Sequence, residues 1–414
     1  MRAQPEGPAP DQVVRGRLVT PGRVYADGLV VLAGDRVVAV GPAEEVAADL
    51  AAAHPALPVP AEPQGTVLPG LVDLHCHGGG GFAFTAGDDE QVAGAARHHL
   101  GRGTTSVVAG VVTDEPERML AAVAAAARAA DRGLVAAVLV EGPFLASGHC
   151  GAQDPGLLRR PDPGLTRELL DAGRGHVRVM TLAPELPGAE DVVDLLVGRG
   201  VVAAVGHTAA DADLVRRTLA AQPRGLVTHL FNGMPSLHHR DSGPVAGALS
   251  AAARDEARVE LVADGVHLDD DTVRLVFDLL GPDRIALVTD AMPAAGMPDG
   301  NYALGPRTVR VAGGVARVHD EAEEGDGDRD HEGAWARQAL AGGTANLLDV
   351  VRRTVRETGT GLADAVTAAS RTPARALGVD DEVGELRPGL RADLLVVDDA
   401  LMPLRVMRAG AWLA

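Results

Sequence analysis

His75 and His77 stand one residue apart at the end of the apolar run Val67 to Leu74, and four glycines, Gly78 to Gly81, follow them. In an extended strand residues two apart share a face, so both imidazoles can reach one ion while Cys76 points away. The glycines would let the backbone bend aside and leave room for a substrate. Taken alone, a His-x-His pair fits a structural role as well as a chelating one. Further residues of ligand type close other apolar, β-rich runs: Glu141 in VLVEGPF, His207 in AAVGHT and His229 in VTHLFNGM. Asp264 and His267 follow in VADGVH, and Asp290 in LVTDAM. Nitrogen and carboxylate donors suit Zn2+ best and also admit Fe2+, Mn2+ or Co2+.

Those residues need elements that bring them to one level. From Val67 onward, short β-rich runs alternate with helical patterns: Val67–Leu74, Thr104–Ala109, Leu134–Val140, Val177–Leu182, Val201–Val205, Leu226–Thr228, Val259–Ala263 and Ile285–Thr289. Such units in series predict an α/β fold, a (β/α)8 TIM-like barrel, whose active sites lie at the C-terminal ends of the strands. An open doubly wound sheet is the alternative, but it does not require so many similar units. The barrel should span 67–375, with an inserted hairpin and an acidic loop near 301–333. Residues 1–66 and 376–414 read as the two halves of a small β-sandwich domain, since chain ends commonly lie close together. The acidic stretch Asp320 to Gly333 reads as a solvated loop, with a second metal site through His319 or His331 as the other reading.

Composition narrows the function. The chain has 414 residues, 46% hydrophobic but only 2% aromatic, so Ala, Val and Leu must fill the core. A net charge of −19 and the scarcity of aromatics argue against nucleic-acid partners. An anionic small molecule would need a local cluster of donors, for which SLHHR (Ser236 to Arg240) is a candidate and an ordinary polar loop the alternative. Only Cys76 and Cys150 are present, which suits a reducing cytosol, and no apolar run is long enough to predict a signal peptide or a membrane span. The chain contains no lysine, which excludes Schiff-base chemistry and a lysine carbamate bridging two metals.

The stretches LPGLVDLHCHG, VEGPFL, LAPE, VGHTAA, THLFNGMPSLHHR, ADGVH and LVTDAM, with the closing ASRTPARALG and GELRPGLRADLLVVD, resemble the amidohydrolase superfamily. Within it they are most similar to the N-acetylglucosamine-6-phosphate deacetylase family, from about Val13 to the C-terminus. The resemblance implies a metal-dependent hydrolase of a phosphorylated N-acetyl amino sugar. It implies that Glu141, His207 and His229 bind the tighter ion, while His75 and His77, with Glu141 bridging, could hold a second. Asp290 would be general base and then general acid, close enough to count among the metal residues; on its own it also fits a helix N-cap. Asn232, Gly233, Arg240 and His267 would hold the sugar phosphate, with Arg240 reaching into the neighbouring subunit of a homodimer. Ala152 and Gln153 would cover the acetyl group, and Leu340, Ala341 and Gly342 would line the sugar pocket.

Three positions depart from that family. Gln153 stands where a histidine is frequent, Gly343 replaces a serine, and Gly233 replaces an alanine in the phosphate loop. The metal set is untouched, but the identity of the sugar is left open, with N-acetylgalactosamine 6-phosphate as the nearest rival. Cyclic-amide or nucleobase hydrolysis is a more distant one. A non-catalytic scaffold would predict lost ligands at the strand ends.

Overall fold

The computed structural model describes residues 9–319 and 338–413. The acidic stretch and His331 therefore lie outside the described residues. Eight parallel strands follow one another around the barrel in chain order: Leu71–Asp73, Thr104–Val111, Ala137–Glu141, Val177–Leu182, Val202–Val205, Gly225–Val227, Ala257–Leu261 and Ile285–Leu287. Both faces of a barrel strand are covered, which is why these runs are continuously apolar rather than alternating. The second strand is buried at every position. Its Val108 faces the barrel interior, while Val107, Ala109 and Val111 pack under the surrounding helices.

Small residues make this packing work without aromatics. On the helix Pro116–Asp131, Ala122, Ala125, Ala126 and Ala129 are fully buried, so the backbone sits close to the strands. Several helices start on an aspartate whose side chain accepts backbone N–H groups of the first turn: Asp88, Asp162, Asp211 and Asp269. At the end of the barrel remote from the ligand-type residues, the short helix Arg371–Leu377 contributes Ala374 and Leu377 to the interior cluster. Thr372 Oγ1 anchors it there through the carbonyl of Pro282, just before the eighth strand.

The apolar run Val67 to Leu74, expected to form one strand, is two. Thr66–Pro69 belongs to a seven-stranded sheet, and only Leu71–Asp73 enters the barrel. Gly70 marks the break, because a Cβ there would lie 2.2 Å from Thr105 Oγ1. The seven-stranded sheet unites both ends of the chain: Gln12–Thr20, Arg23–Ala33, Arg36–Pro42 and Thr66–Pro69 join Leu394–Val397, Pro403–Arg408 and Ala411–Trp412. One of its faces carries a core of its own, including Val14, Leu18, Leu32, Leu394 and Met407. The inserted hairpin is a three-stranded antiparallel sheet, Gly300–Leu304, Arg307–Ala312 and Val315–Val318.

The first and eighth strands meet only at their C-terminal ends, where Cys76 and Ala291 form a parallel bridge. Asp290 N donates to His75 O at 2.9 Å and His77 N to Ala291 O at 2.7 Å. Below that bridge Thr289 Oγ1 donates to the buried Asp73 Oδ2 at 2.6 Å. Replacing Thr289 by valine keeps the shape and removes this partner. We expect Thr289→Val to cost roughly 1–3 kcal/mol of stability, read as a lower thermal unfolding midpoint; an unchanged midpoint would show that barrel closure does not rely on this bond.

Candidate metal centre

The site follows from strand register. Glu141 is paired with Thr181, Leu182 with Val205, and Val205 with Val227. His207 and His229 each follow their valine by two residues, so they arrive at one level beside Glu141. The Cys76–Ala291 bridge sets His75, His77 and Asp290 at the same rim. His207, His229 and Asp290 have φ of 48°, 26° and 48°. Left-handed backbone at non-glycine residues is strained by about 1–3 kcal/mol each and clusters where surrounding structure enforces function. Here it swings each side chain inward as the strand ends.

The side chains converge closely. Glu141 Oε1 is 3.1 Å from both His207 Nε2 and His229 Nε2, which are themselves 3.1 Å apart. His75 Nε2 and His77 Nε2 are also 3.1 Å apart, and Glu141 Oε2 lies 3.4 Å from His77 Nε2. Asp290 Oδ1 sits 3.2 Å from His77 Nε2 and 3.6 Å from His75 Nε2. Ligands about 2.0–2.2 Å from a shared ion at tetrahedral to octahedral angles lie roughly 3 Å from one another. Glu141, His207 and His229 form one group of this kind, and His75, His77 and Glu141 another.

The opposite ring nitrogens show what the centre requires. His75 Nδ1 faces Glu260 Oε2 at 2.8 Å, His77 Nδ1 faces the carbonyl of Gly110 at 3.2 Å, and His207 Nδ1 the carbonyl of His149 at 2.8 Å. Each partner only accepts, so each Nδ1 carries hydrogen and each ring turns Nε2 inward, as a lone pair wherever a cation rather than a proton supplies the positive charge. Lone pairs 3.1 Å apart repel unless positive charge lies between them. The electrostatics agree. Burial opposes charge on His75, yet Glu260, Glu141 and Asp290 outweigh it and push its pKa up to about 10. Burial likewise raises the Glu141 and Asp290 carboxyls, but the facing imidazoles hold Glu141 well below the usual carboxylate range and Asp290 at about 2. The donor set thus fits a divalent cation.

The glycines after His77 serve packing rather than substrate access. A Cβ on Gly79 or Gly80 would strike His98 or His99, and none of Gly78 to Gly81 lines the cavity. Gly110 is needed for the centre itself, since a Cβ there would lie 2.7 Å from His77 Nδ1. Cys76 points away as its register requires, with Sγ 3.2 Å from the buried His99 Nε2.

A cavity of about 240 Å3 opens above the centre. His77, Glu141, His207, His229 and Asp290 line its floor, joined by Ala152, Gln153, Asn232, Gly233, His267, Leu340 and Gly342. His267 Nδ1 donates to Asp264 Oδ2 at 2.9 Å; burial lowers its pKa, but Asp264 outweighs this and raises it. Ala341, expected in the sugar pocket, is fully buried apart from it, because its N–H bonds Ala316 O and its methyl joins the apolar cluster under the inserted sheet. Arg240 is exposed and does not line the cavity of its own chain.

Two residues of the candidate site escaped the sequence reading. Glu260 is fully buried inside the barrel and accepts from both His75 Nδ1 and His229 N. The signal was a charged residue alternating inward between Val259 and Leu261, whose side chains face the outer core. Arg307 lines the cavity from the inserted sheet together with Leu304 and Pro306. Nothing in the local pattern marks it.

Residues 66–413 match the model described as "Amidohydrolase family". The chain belongs to the amidohydrolase family. It is 34% identical over 339 residues to an N-acetylgalactosamine-6-phosphate deacetylase of Escherichia coli O157:H7, covering 81% of this chain and 84% of that one. It is 32% identical over 335 residues to an N-acetylglucosamine-6-phosphate deacetylase of Vibrio furnissii, covering 80% and 78%. Among solved structures, a mutant N-acetyl-D-glucosamine-6-phosphate deacetylase of Mycobacterium smegmatis, in complex with N-acetyl-D-glucosamine 6-phosphate, superposes with a TM-score of 0.85. That protein is 39% identical, with 98% of this chain and 99% of the other covered. Among the described residues of this amidohydrolase, no helix is long and apolar enough to cross a membrane.

A cation between these lone pairs should bind the folded chain far better than the unfolded one. Zn2+ at one hundred times its Kd is expected to stabilise the fold by about 2.7 kcal/mol, raising the thermal unfolding midpoint, with reversal by a chelator. A midpoint indifferent to metal and chelator would contradict the assignment.

Proposed function

We propose that the chain hydrolyses the acetamide of N-acetyl-D-glucosamine 6-phosphate to D-glucosamine 6-phosphate and acetate. The observation that carries this reading is the convergence of Glu141, His207 and His229 with an ionised Asp290 on the floor of one cavity. The likeness to the Mycobacterium smegmatis deacetylase over nearly the whole chain supports the gluco epimer. The donor set favours Zn2+, one or two per chain, over Fe2+, Mn2+ or Co2+. Such an ion, when bound, polarises the amide carbonyl and acidifies water at neutral pH.

The chain's own groups do the rest. Asp290 is ionised and faces the cavity, so it can take the proton of the attacking water. It then returns that proton to the departing nitrogen, which makes a poor leaving group without it. The His267–Asp264 pair, in which Asp264 raises the pKa of the imidazole, stands ready for the phosphate beside Asn232 and Gly233. In a chain of net charge −19 such local donors are what make an anionic substrate acceptable. Arg240, exposed on its loop, would reach the phosphate of the neighbouring subunit in a homodimer. A cytoplasmic location accords with the two free thiols.

Acetate release with the two epimeric 6-phosphates tests the substrate; faster turnover of the galacto sugar would reassign it, a reading the Escherichia coli relative favours. Asp290→Asn should retain the metal and lose roughly 10²- to 10⁴-fold in kcat. Full activity in that variant would overturn the proton-transfer scheme.

A further inference from the structure

We infer that Gln153 is a positioning residue of the metal centre, which decides which oxygen of Glu141 faces the His207–His229 pair. The inference rests on the metal-dependent reading above. Gln153 is 9% exposed. Its Nε2 donates to Glu141 Oε2 at 2.7 Å, while its Oε1 accepts from Thr113 N at 2.9 Å. Thr113 Oγ1 in turn donates to the backbone carbonyl of Glu141 at 3.1 Å. The three residues close a ring: the Glu141 main chain holds Thr113, Thr113 holds the amide, and the amide holds the Glu141 carboxylate.

A neutral side-chain amide accepts at one end and donates at the other from a single plane. A carboxylate would accept at both ends and repel Glu141. With Oε2 held by Gln153, the oxygen left to the two imidazoles at 3.1 Å is Oε1. Oε2 is also the oxygen nearer His77, at 3.4 Å. The N–H that holds it therefore competes with any ion shared between Glu141 and the His75–His77 pair. Gln153 favours an ion on the His207–His229 side over a carboxylate bridge to a second one. The other N–H of the amide remains for the cavity that Gln153 lines.

Zinc titration of the metal-free protein against a chromophoric chelator tests this without any sugar substrate. Gln153→Met keeps the length and volume of the side chain but neither polar end; Gln153→Ala removes both. Both variants are expected to bind the first Zn2+ roughly 10- to 100-fold more weakly than the wild type. The gap between first and second binding constants should narrow, and the loss of zinc affinity should exceed what any fall in the metal-free midpoint, from the unpaired Thr113 N–H, accounts for. Wild-type zinc affinity in Gln153→Met, or losses that merely track a falling midpoint of the metal-free protein, would overturn the role of Gln153 alone. A wild-type protein that takes up no zinc would remove the metal reading and this inference together.

Discussion

Three imidazole rings, those of His75, His77 and His207, are locked with Nδ1–H pointed outward at groups that only accept: Glu260, the Gly110 carbonyl and the His149 carbonyl. Their Nε2 lone pairs therefore meet in a buried space where water cannot screen them. Three carboxylates, Glu141, Glu260 and Asp290, sharpen the deficit of positive charge. A cation relieves that conflict, and the other features of the rim can be understood as holding it in place. Outer partners of this kind orient ligands and raise their basicity, so they shape a metal centre as much as the ligands do.

The barrel enforces the convergence by register. Parallel pairing places Glu141 beside the ends of the fifth and sixth strands, and the same two-residue offset carries His207 and His229 over the rim. Left-handed backbone at His207, His229 and Asp290 then turns the side chains inward. The first and eighth strands add no long ladder between them. Their bond is the short set of contacts around Cys76, Ala291, Asp73 and Thr289, placed directly against the ligands. The contacts that close the fold thus adjoin the site itself.

Substrate recognition works against the global charge. The donors suited to an anion, His267 and Arg307, reach the cavity from separate parts of the chain, the seventh strand end and the inserted sheet. A carboxylate, Asp264, raises the pKa of His267 against the effect of its burial. Gln153, by contrast, turns its amide toward Glu141 and Thr113, so a residue that looks like a substrate contact also belongs to the metal's support.

Much of this was legible in the linear order. Apolar runs, six of the eight leading to a histidine or acid, report a barrel and its ligand-bearing rim together, because strand period and strand end are local properties. The His75–Cys76–His77 alternation follows from the same period, and Cys76 does face away. Other features were not local. Thr105 crowds Gly70, where Val67 to Leu74 divides into two strands, and His98 and His99, on a helix that begins later in the chain, crowd Gly79 and Gly80. Glu260 needed the barrel interior to reveal its partner, and Arg307 needed the inserted sheet to fold back over the cavity. Residue types and spacing determined which chemistry was available; which lone pairs face one another, and which group supports which ligand, only the closed barrel decided, because those contacts join residues far apart in the chain.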